Sequence, residues 1–368
     1  VFLAERGIVQ PEQKMTIHWR TGYVVMIIGL MLMVGCQTAE LTATLEPPTG
    51  TVVPHVAAKS ALPTATPTPP KPTATFETSL DGSGGLYLGQ TPPGLAVELF
   101  APGIVSIDEG KEYKIAISPD LQEIFFTRRT PGGRNDRLWT ARLENGRLTV
   151  PELAPFAYDV LETDACFTPD GKRLYFNSAR PLPGEEAASR LPNVWFVDRT
   201  ATGWSEPQFV GPPLNDYRPV YFSIANDGTL YFTRSSPRGL YYAGPEDGQY
   251  GEAHRLPDEI NDVREVAHPA VAPDESYIVV DSAYEQGGRL VGSLYISFRR
   301  ADGSWTQAVS LHDALKASEA DVYAIPRITP DGKYLFFEKY DRQTDRSDIY
   351  WVSTDVIKQL GPATSRTL

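Results

Sequence analysis

The sequence predicts an all-β chain folded as a single β-propeller of four-stranded blades. Three observations lead there. One short pattern, an apolar strand running into Pro-Asp-Gly or a near variant and then a second apolar strand, occurs five times: IAISPDLQEIFF from Ile115, ACFTPDGKRLYF from Ala165, FSIANDGTLYF from Phe222, PAVAPDESYIVV from Pro269 and PRITPDGKYLFF from Pro326. The aspartates that index the copies, Asp120, Asp170, Asp227, Asp274 and Asp331, are 50, 57, 47 and 57 residues apart, the length of a four-stranded blade. A further strand-like segment follows every copy. Five blades is the expected count, with six as the alternative.

Each copy reads as a hairpin. Pro at the first central position of a turn presets φ, Asp bonds the backbone two residues on, and Gly supplies the positive φ that closes the turn. The flanking runs are rich in Val, Ile, Tyr and Phe, as buried strands should be. The five aspartates are therefore expected to form turns rather than to catalyse. Third strands are expected at RLWTARL from Arg137, NVWFVDR from Asn193, GLYYAG from Gly239, SLYISFR from Ser293 and DIYWVS from Asp348. Fourth strands are expected at TVPELAP from Thr149, EPQFVGP from Glu206, EAHRLPD from Glu252 and TQAVSLH from Thr306. The last repeat lacks one, whereas AVELFAPG from Ala96 stands alone before the first repeat. This amino-terminal strand is expected to complete the last blade, closing the ring and removing an exposed sheet edge.

The flanks suggest an address. Residues 1–14 read as a non-native upstream segment before Met15, since all four methionines lie between Met15 and Met33. Residues 15–36 carry one positive charge, Arg20, then an apolar run from Tyr23 to Val34, the form of a secretory signal. Gly35-Cys36 at its end resembles the lipobox of bacterial lipoproteins, with Met33 where Leu is usual, and this resemblance implies lipid attachment at Cys36. The run is shorter than the ~20 apolar residues a spanning helix needs. From Gln37 to Thr78 there are eleven Thr and eight Pro with one aromatic residue, Phe76, so residues 37–85 read as a disordered tether. Residues 86–360 are the expected propeller and 361–368 a short tail. Together these features predict an exported protein, lipid-anchored to the cell envelope and facing outside or the periplasm.

Charge and cysteine content narrow the chemistry. Residues 1–36 hold three basic and two acidic side chains, so the remainder has 31 basic against 44 acidic residues and a net charge of −13. That balance argues against nucleic acid as a partner. The only cysteines are Cys36 and Cys166, which excludes a disulfide framework or a thiolate metal site within the propeller, and Cys166 in ACFTPDG reads as a small buried apolar residue. A monomer without cofactor or metal is expected.

The repeats resemble the TolB-type β-propeller repeat, a relative of the tryptophan-aspartate repeats, whose signature is an S-P-D-G-like turn between the first two strands of a blade. ELFAPGIVS, HPAVAPDESYIVV and DGKYLFFEKY followed by DIYWVS are similar to a set of bacterial exported propellers. The resemblance covers about 275 residues, and it implies a fold used mainly for protein contacts. The amino-terminal domain of TolB is absent, so membership in the Tol system is not implied. The same repeat accompanies serine peptidases of the prolyl oligopeptidase class, but no G-x-S-x-G elbow occurs in the chain.

Propeller ligands usually meet the mouth of the channel where the innermost strands begin. Counting back five positions from the turn Pro or its equivalent gives Lys114, Asp164, Tyr221, His268 and Ile325, and slightly earlier lie Glu112, Glu162, Arg218, Glu265, Asp321 and Tyr323. A cluster of Asp and Glu there suits a cation, a sugar or acid/base work. It equally suits strand-end capping in a wet channel. The sialidase-type Asp-x-Gly-x-x-Trp spacing is kept neither by ADGSW from Ala301 nor by DRTATGW from Asp198, so Trp305 and Trp204 read as packing residues. Two functions therefore remain: a lipid-anchored module that binds protein, peptide or glycan, and a carbohydrate-active enzyme using Asp164, Glu162 and Glu112 or Asp321.

Overall fold

The computed structural model describes residues 86–129, 135–358 and 360–361. Cys36, the expected signal and tether, and the tail from residue 362 lie outside the described residues. The described chain is all-β, and its strands form five antiparallel four-stranded groups. In chain order the first four groups are Lys111–Ile117, Glu123–Arg129, Arg137–Glu144 and Glu152–Leu153; Glu162–Phe167, Arg173–Ser178, Asn193–Thr200 and Gln208–Phe209; Val220–Ile224, Leu230–Ser235, Arg238–Ala243 and His254–Arg255; and Val266–Val271, Tyr277–Gln286, Arg289–Phe298 and Val309–Ser310. The fifth holds Val322–Ile328, Tyr334–Asp341 and Arg346–Ser353. Its outer partner is Glu98–Leu99, with Glu98 opposite Trp351 and Leu99 opposite Tyr350.

Turn chemistry explains the hairpins. Each index aspartate accepts the N–H two residues on: Asp120 from Gln122 (3.1 Å), Asp170 from Lys172 (3.1 Å), Asp227 from Thr229 (2.8 Å), Asp274 from Ser276 (3.1 Å) and Asp331 from Lys333 (3.2 Å). The next residue takes positive φ, which Gly171, Gly228 and Gly332 adopt without strain, while Leu121 (59°) and Glu275 (57°) adopt it with side chains.

The core is divided among the gaps between neighbouring repeats. Phe125 and Leu138 of repeat one pack with Phe176 and Val197 of repeat two. Tyr175 and Val194 pack with Phe222 and Phe232, Tyr231 and Leu240 with Ile278 and Val280, and Val279 and Leu294 with Leu335 and Phe337. The last cluster joins Phe336, Ile349 and Trp351 of repeat five to Ile124 and Phe126 of repeat one through Phe100. Phe100 is fully buried, edge-on to Phe336 at 4.9 Å and to Trp351 at 5.4 Å. Repeats four and five are joined by a parallel pairing of Gly292 with Val322, where an added Cβ would stand 2.8 Å from Val322 Cγ1.

Candidate functional site

The first strand of every repeat carries a β-bulge at one equivalent place. There a non-glycine residue adopts left-handed backbone: Lys114 (φ 55°), Asp164 (61°), Tyr221 (56°), His268 (46°) and Ile325 (54°). Such residues cost about 1–2 kcal/mol each. Bulges re-aim side chains, and strained backbone concentrates at sites of function. Here the conformation recurs with five unrelated side chains, one of them β-branched. It therefore belongs to the repeat, and what varies is the group it displays.

Four of the displayed groups meet. Lys114 Nζ is 3.1 Å from Asp164 Oδ1 and 4.3 Å from the centre of the Tyr221 ring. The Tyr221 and His268 ring centres are 3.8 Å apart, and His268 Nδ1 is 2.8 Å from Asp281 Oδ2. Asp281 Oδ2 also accepts the Ile325 N–H at 2.7 Å, so the network touches all five repeats. Asp164 Oδ2 accepts from Asn177 Nδ2 (3.1 Å) and Thr163 Oγ1 (2.9 Å), and the His268 N–H bonds Thr233 Oγ1 (3.2 Å).

Burial opposes charge on both Lys114 and Asp164, but their mutual attraction outweighs it. The Lys114 ammonium is pushed up by Asp164, Tyr221 and Asp136, and the Asp164 carboxyl is held down by Lys114, Asn177 and Arg327. Both are ionised at neutral pH. Burial raises the Tyr221 phenol, which stays neutral.

A second ring was missed in the sequence. The residue before each bulge pairs across the hairpin with Thr127, Asn177, Thr233, Asp281 and Glu338, all buried. The signal was there: each stands six or seven residues after the index aspartate, at the end of an apolar run (IFFT, LYFN, LYFT, IVVD, LFFE). Thr127 Oγ1 and Asn177 Oδ1 have no hydrogen-bond partner among the described residues, which marks them as sites for water or ligand. Burial pushes the Glu338 carboxyl up to about 7, although Ser347 donates a hydrogen bond to it and Lys114 lies near.

The remaining expected site residues are engaged elsewhere. Glu112 is fully buried against Arg128 Nε (2.8 Å), whose Nη2 also bonds the Ile104 and Val105 carbonyls. Glu162 is likewise buried against Arg180 Nη2 (2.5 Å), which reaches the Phe156 carbonyl, and it accepts the Tyr158 N–H. Both glutamates thus latch the loop that leads into their own strand and do not join the Lys114 cluster. Burial raises both carboxyls, Glu112 to about 7.

Asp321 pairs with Lys339 (2.6 Å) and accepts the Ser318 N–H, and Tyr323 packs on Phe337. Glu265 forms an exposed pair with Arg238 (2.7 Å), and Arg218 is an exposed left-handed residue ending the 3-10 turn Leu214–Tyr217. Lys114, Asp164 and His268 are themselves buried, not displayed at an open mouth. Cys166 also differs from expectation: it is partly exposed to a cavity of about 190 Å3 on the turn side of the channel. Burial nonetheless pushes its thiol up to about 11. Among the described residues no group of three His, Cys, Asp or Glu is arranged to hold a metal ion.

No family description and no curated relative matches the chain. Solved structures similar to it include an oligogalacturonate lyase from Vibrio parahaemolyticus, at 16% identity over 67% of this chain and 66% of that one with a TM-score of 0.36. The catalytic domain of a GH62 α-L-arabinofuranosidase from Coprinopsis cinerea is 10% identical over 71% and 98%, with a TM-score of 0.42. A gluconolactonase from Xanthomonas campestris is 16% identical over 71% and 84%, with a TM-score of 0.41. Likenesses at this level carry no inference about chemistry.

Proposed function

We propose that the chain is a five-bladed β-propeller of the TolB-type repeat class, closed by Glu98–Leu99, and that it serves as a binding module for a protein, peptide or glycan. In this reading Cys36 carries a lipid that holds the module on the cell envelope, with residues 37–85 as the tether. One observation carries the binding role: an invariant left-handed position displays Lys114, Asp164, Tyr221 and His268 toward one another, with a different group in each repeat. A constant scaffold with variable display suits recognition. Asp164 is neutralised by Lys114, and Asp281 is held by His268 and the Ile325 N–H, which suits a polar binding surface better than proton transfer.

The test is a thermal-shift screen of the full chain against glycans and peptides, repeated with Lys114→Gln and His268→Gln. A ligand that stabilises the wild type and neither variant supports the reading. Ligands that stabilise all three equally defeat it. Fatty-acid labelling that survives Cys36→Ser would remove the anchor.

A second reading rests on Glu338. Its raised carboxyl and the lowered carboxyl of Asp164 lie within the field of one lysine, Lys114, and environments that split two carboxyls in this way assign an acid and a base. A glycosidase of this kind predicts pH-dependent hydrolysis lost in both Asp164→Asn and Glu338→Gln. The absence of turnover across a broad glycan panel would end it.

A further inference from the structure

The turn-side cavity is lined by a cation, Arg327, that makes no ion pair among the described residues; the carboxylate in the lining, Asp331, is engaged by Tyr87, Thr329 and Lys333. Arg327 occupies the place in repeat five held by Ala116, Cys166, Ser223 and Ala270 in the others, three residues before the turn Pro or its equivalent. It is 8% exposed and lines the cavity of about 190 Å3 together with Cys166, Ser223 and Thr329. Its Nη1 donates to the carbonyl of the adjacent Pro326 at 3.2 Å. Nε and Nη2 have no hydrogen-bond partner among the described residues.

Those two nitrogens form one edge of the guanidinium, with parallel N–H groups spaced to match the two oxygens of a carboxylate. The same protein shows that edge in use. Arg173 Nε and Nη2 hold the two oxygens of Asp198 at 2.7 and 3.1 Å. In Arg327 the same edge has no partner among the described residues and lines the cavity.

A buried guanidinium with its best edge unused is unfavourable unless an anion completes it. Asp164 contributes a field from the neighbouring ring, but its carboxylate is taken by Lys114, Asn177 and Thr163. Ser223 adds a second donor: its Oγ accepts the Val271 N–H at 3.1 Å, and its own O–H makes no bond among the described residues.

We propose that the turn-side mouth is a carboxylate-binding site, in which Arg327 takes a ligand carboxylate bidentately through Nε and Nη2 and Ser223 assists. The cavity admits a slender end group, such as a peptide carboxy terminus or a uronic acid unit. The site stands apart from the Lys114 cluster, so it holds or fails independently of the function proposed above.

The experiment uses the full chain with Cys36→Ser, leaving Cys166 as its only thiol. Maleimide labelling of Cys166 and calorimetric titration are followed with a free-acid tripeptide against its amide, and with glucuronate against glucose. At least one acid is expected to bind and to slow labelling about fivefold or more when saturating, while its neutral counterpart does neither. Arg327→Lys, which keeps the charge but not the fork, should weaken binding about tenfold, and Arg327→Gln should abolish it. Circular dichroism confirms that the variants fold, which is expected because the guanidinium bonds only its own segment. A tripeptide hit without glucuronate assigns the source as a chain terminus, and the reverse assigns a sugar acid. Equal binding of acid and neutral probes, unchanged affinity in Arg327→Gln, or no protection of Cys166 by either acid would overturn the proposal.

Discussion

Replacing Glu338 by Gln removes a carboxyl that the folded protein holds protonated to about pH 7, against its usual 4.5. The cause is burial, only partly offset by the Ser347 hydroxyl and the Lys114 charge. Below pH 4.5 the group is protonated in both the folded and unfolded states, and its contribution to stability is fully present. As pH rises from there toward 7, the unfolded chain releases the proton while the folded chain keeps it, so stability falls with pH. Above about 7 the folded group ionises too and the loss levels off. A difference of 2.5 between 4.5 and about 7 corresponds to about 3 kcal/mol, an upper figure for a side chain that is 4% exposed. Glu338→Gln keeps the shape and an acceptor for Ser347 but cannot ionise. It should match the wild type near pH 5 and exceed it by up to ~3 kcal/mol near pH 8, several degrees in Tm. Glu112 adds a slope of the same sign to both proteins and cancels in the comparison. Urea unfolding at steps between these two pH values measures the difference directly. Wild-type and variant curves that run parallel, or a variant less stable at the alkaline end, would refute the reasoning.

Other outcomes follow from the same geometry. Lys114→Met should cost about 3–5 kcal/mol by leaving Asp164 buried and unpaired, and adding Asp164→Asn should recover much of it; additive losses in urea unfolding would show that the pair is not coupled. Phe100→Ala should cost about 3–5 kcal/mol, because Phe100 anchors the amino-terminal strand on Phe336 and Trp351; a loss under about 1 kcal/mol would contradict closure by that strand. Asn261→Ala should destabilise by about 2–4 kcal/mol, since its side chain accepts the Leu240 N–H and donates to the Leu240 and Leu256 carbonyls. Asn215 bonds Val194 and Val210 in the same way one repeat earlier, so its Ala variant should behave alike by thermal denaturation.

What was legible in the sequence was what local chemistry dictates. Asp120 and its four equivalents announce their turns because each bonds the backbone two residues on, whatever the rest of the chain does. AVELFAPG announces its pairing because an outer strand is missing elsewhere. Counting five back from each turn reached the bulge residues for the same reason, as the turn sets the register of the first strand. The bulge itself was not legible. Positive φ falls on Lys114, Asp164, Tyr221, His268 and Ile325, none of them glycine, so nothing in composition marks the kink. Two residues before it the pairing is still regular, with Glu112 opposite Arg128 and Glu162 opposite Ser178, and these glutamates turn to Arg128 and Arg180. Arg327 and Cys166 were hidden differently: the fold brings them to one cavity across a separation in sequence that no local rule spans.

The bulge layer and the layer next to the turns differ in what they ask of a ligand, and the reason is charge. At the bulge layer, Lys114 is paired with Asp164 and His268 is hydrogen-bonded to Asp281, so each of these groups has a partner within the layer. At the next layer toward the turns, Arg327 is accompanied by Ala116, Cys166, Ser223 and Ala270, which carry no charge to answer it. The Cys166 thiol stays protonated at neutral pH and cannot supply the missing anion. Asp164 lies in the fields of both Lys114 and Arg327, which with its hydrogen bonds outweigh burial and hold its carboxyl below the usual range. Asp164 therefore lies between two cations, and Asp331, the carboxylate that lines the turn-side cavity, is engaged by Tyr87, Thr329 and Lys333. The Arg327 charge does not relax by deprotonation. An incoming carboxylate that leaves bulk water for this cavity gains more from the buried Arg327 than it would from an exposed arginine on the outer strands.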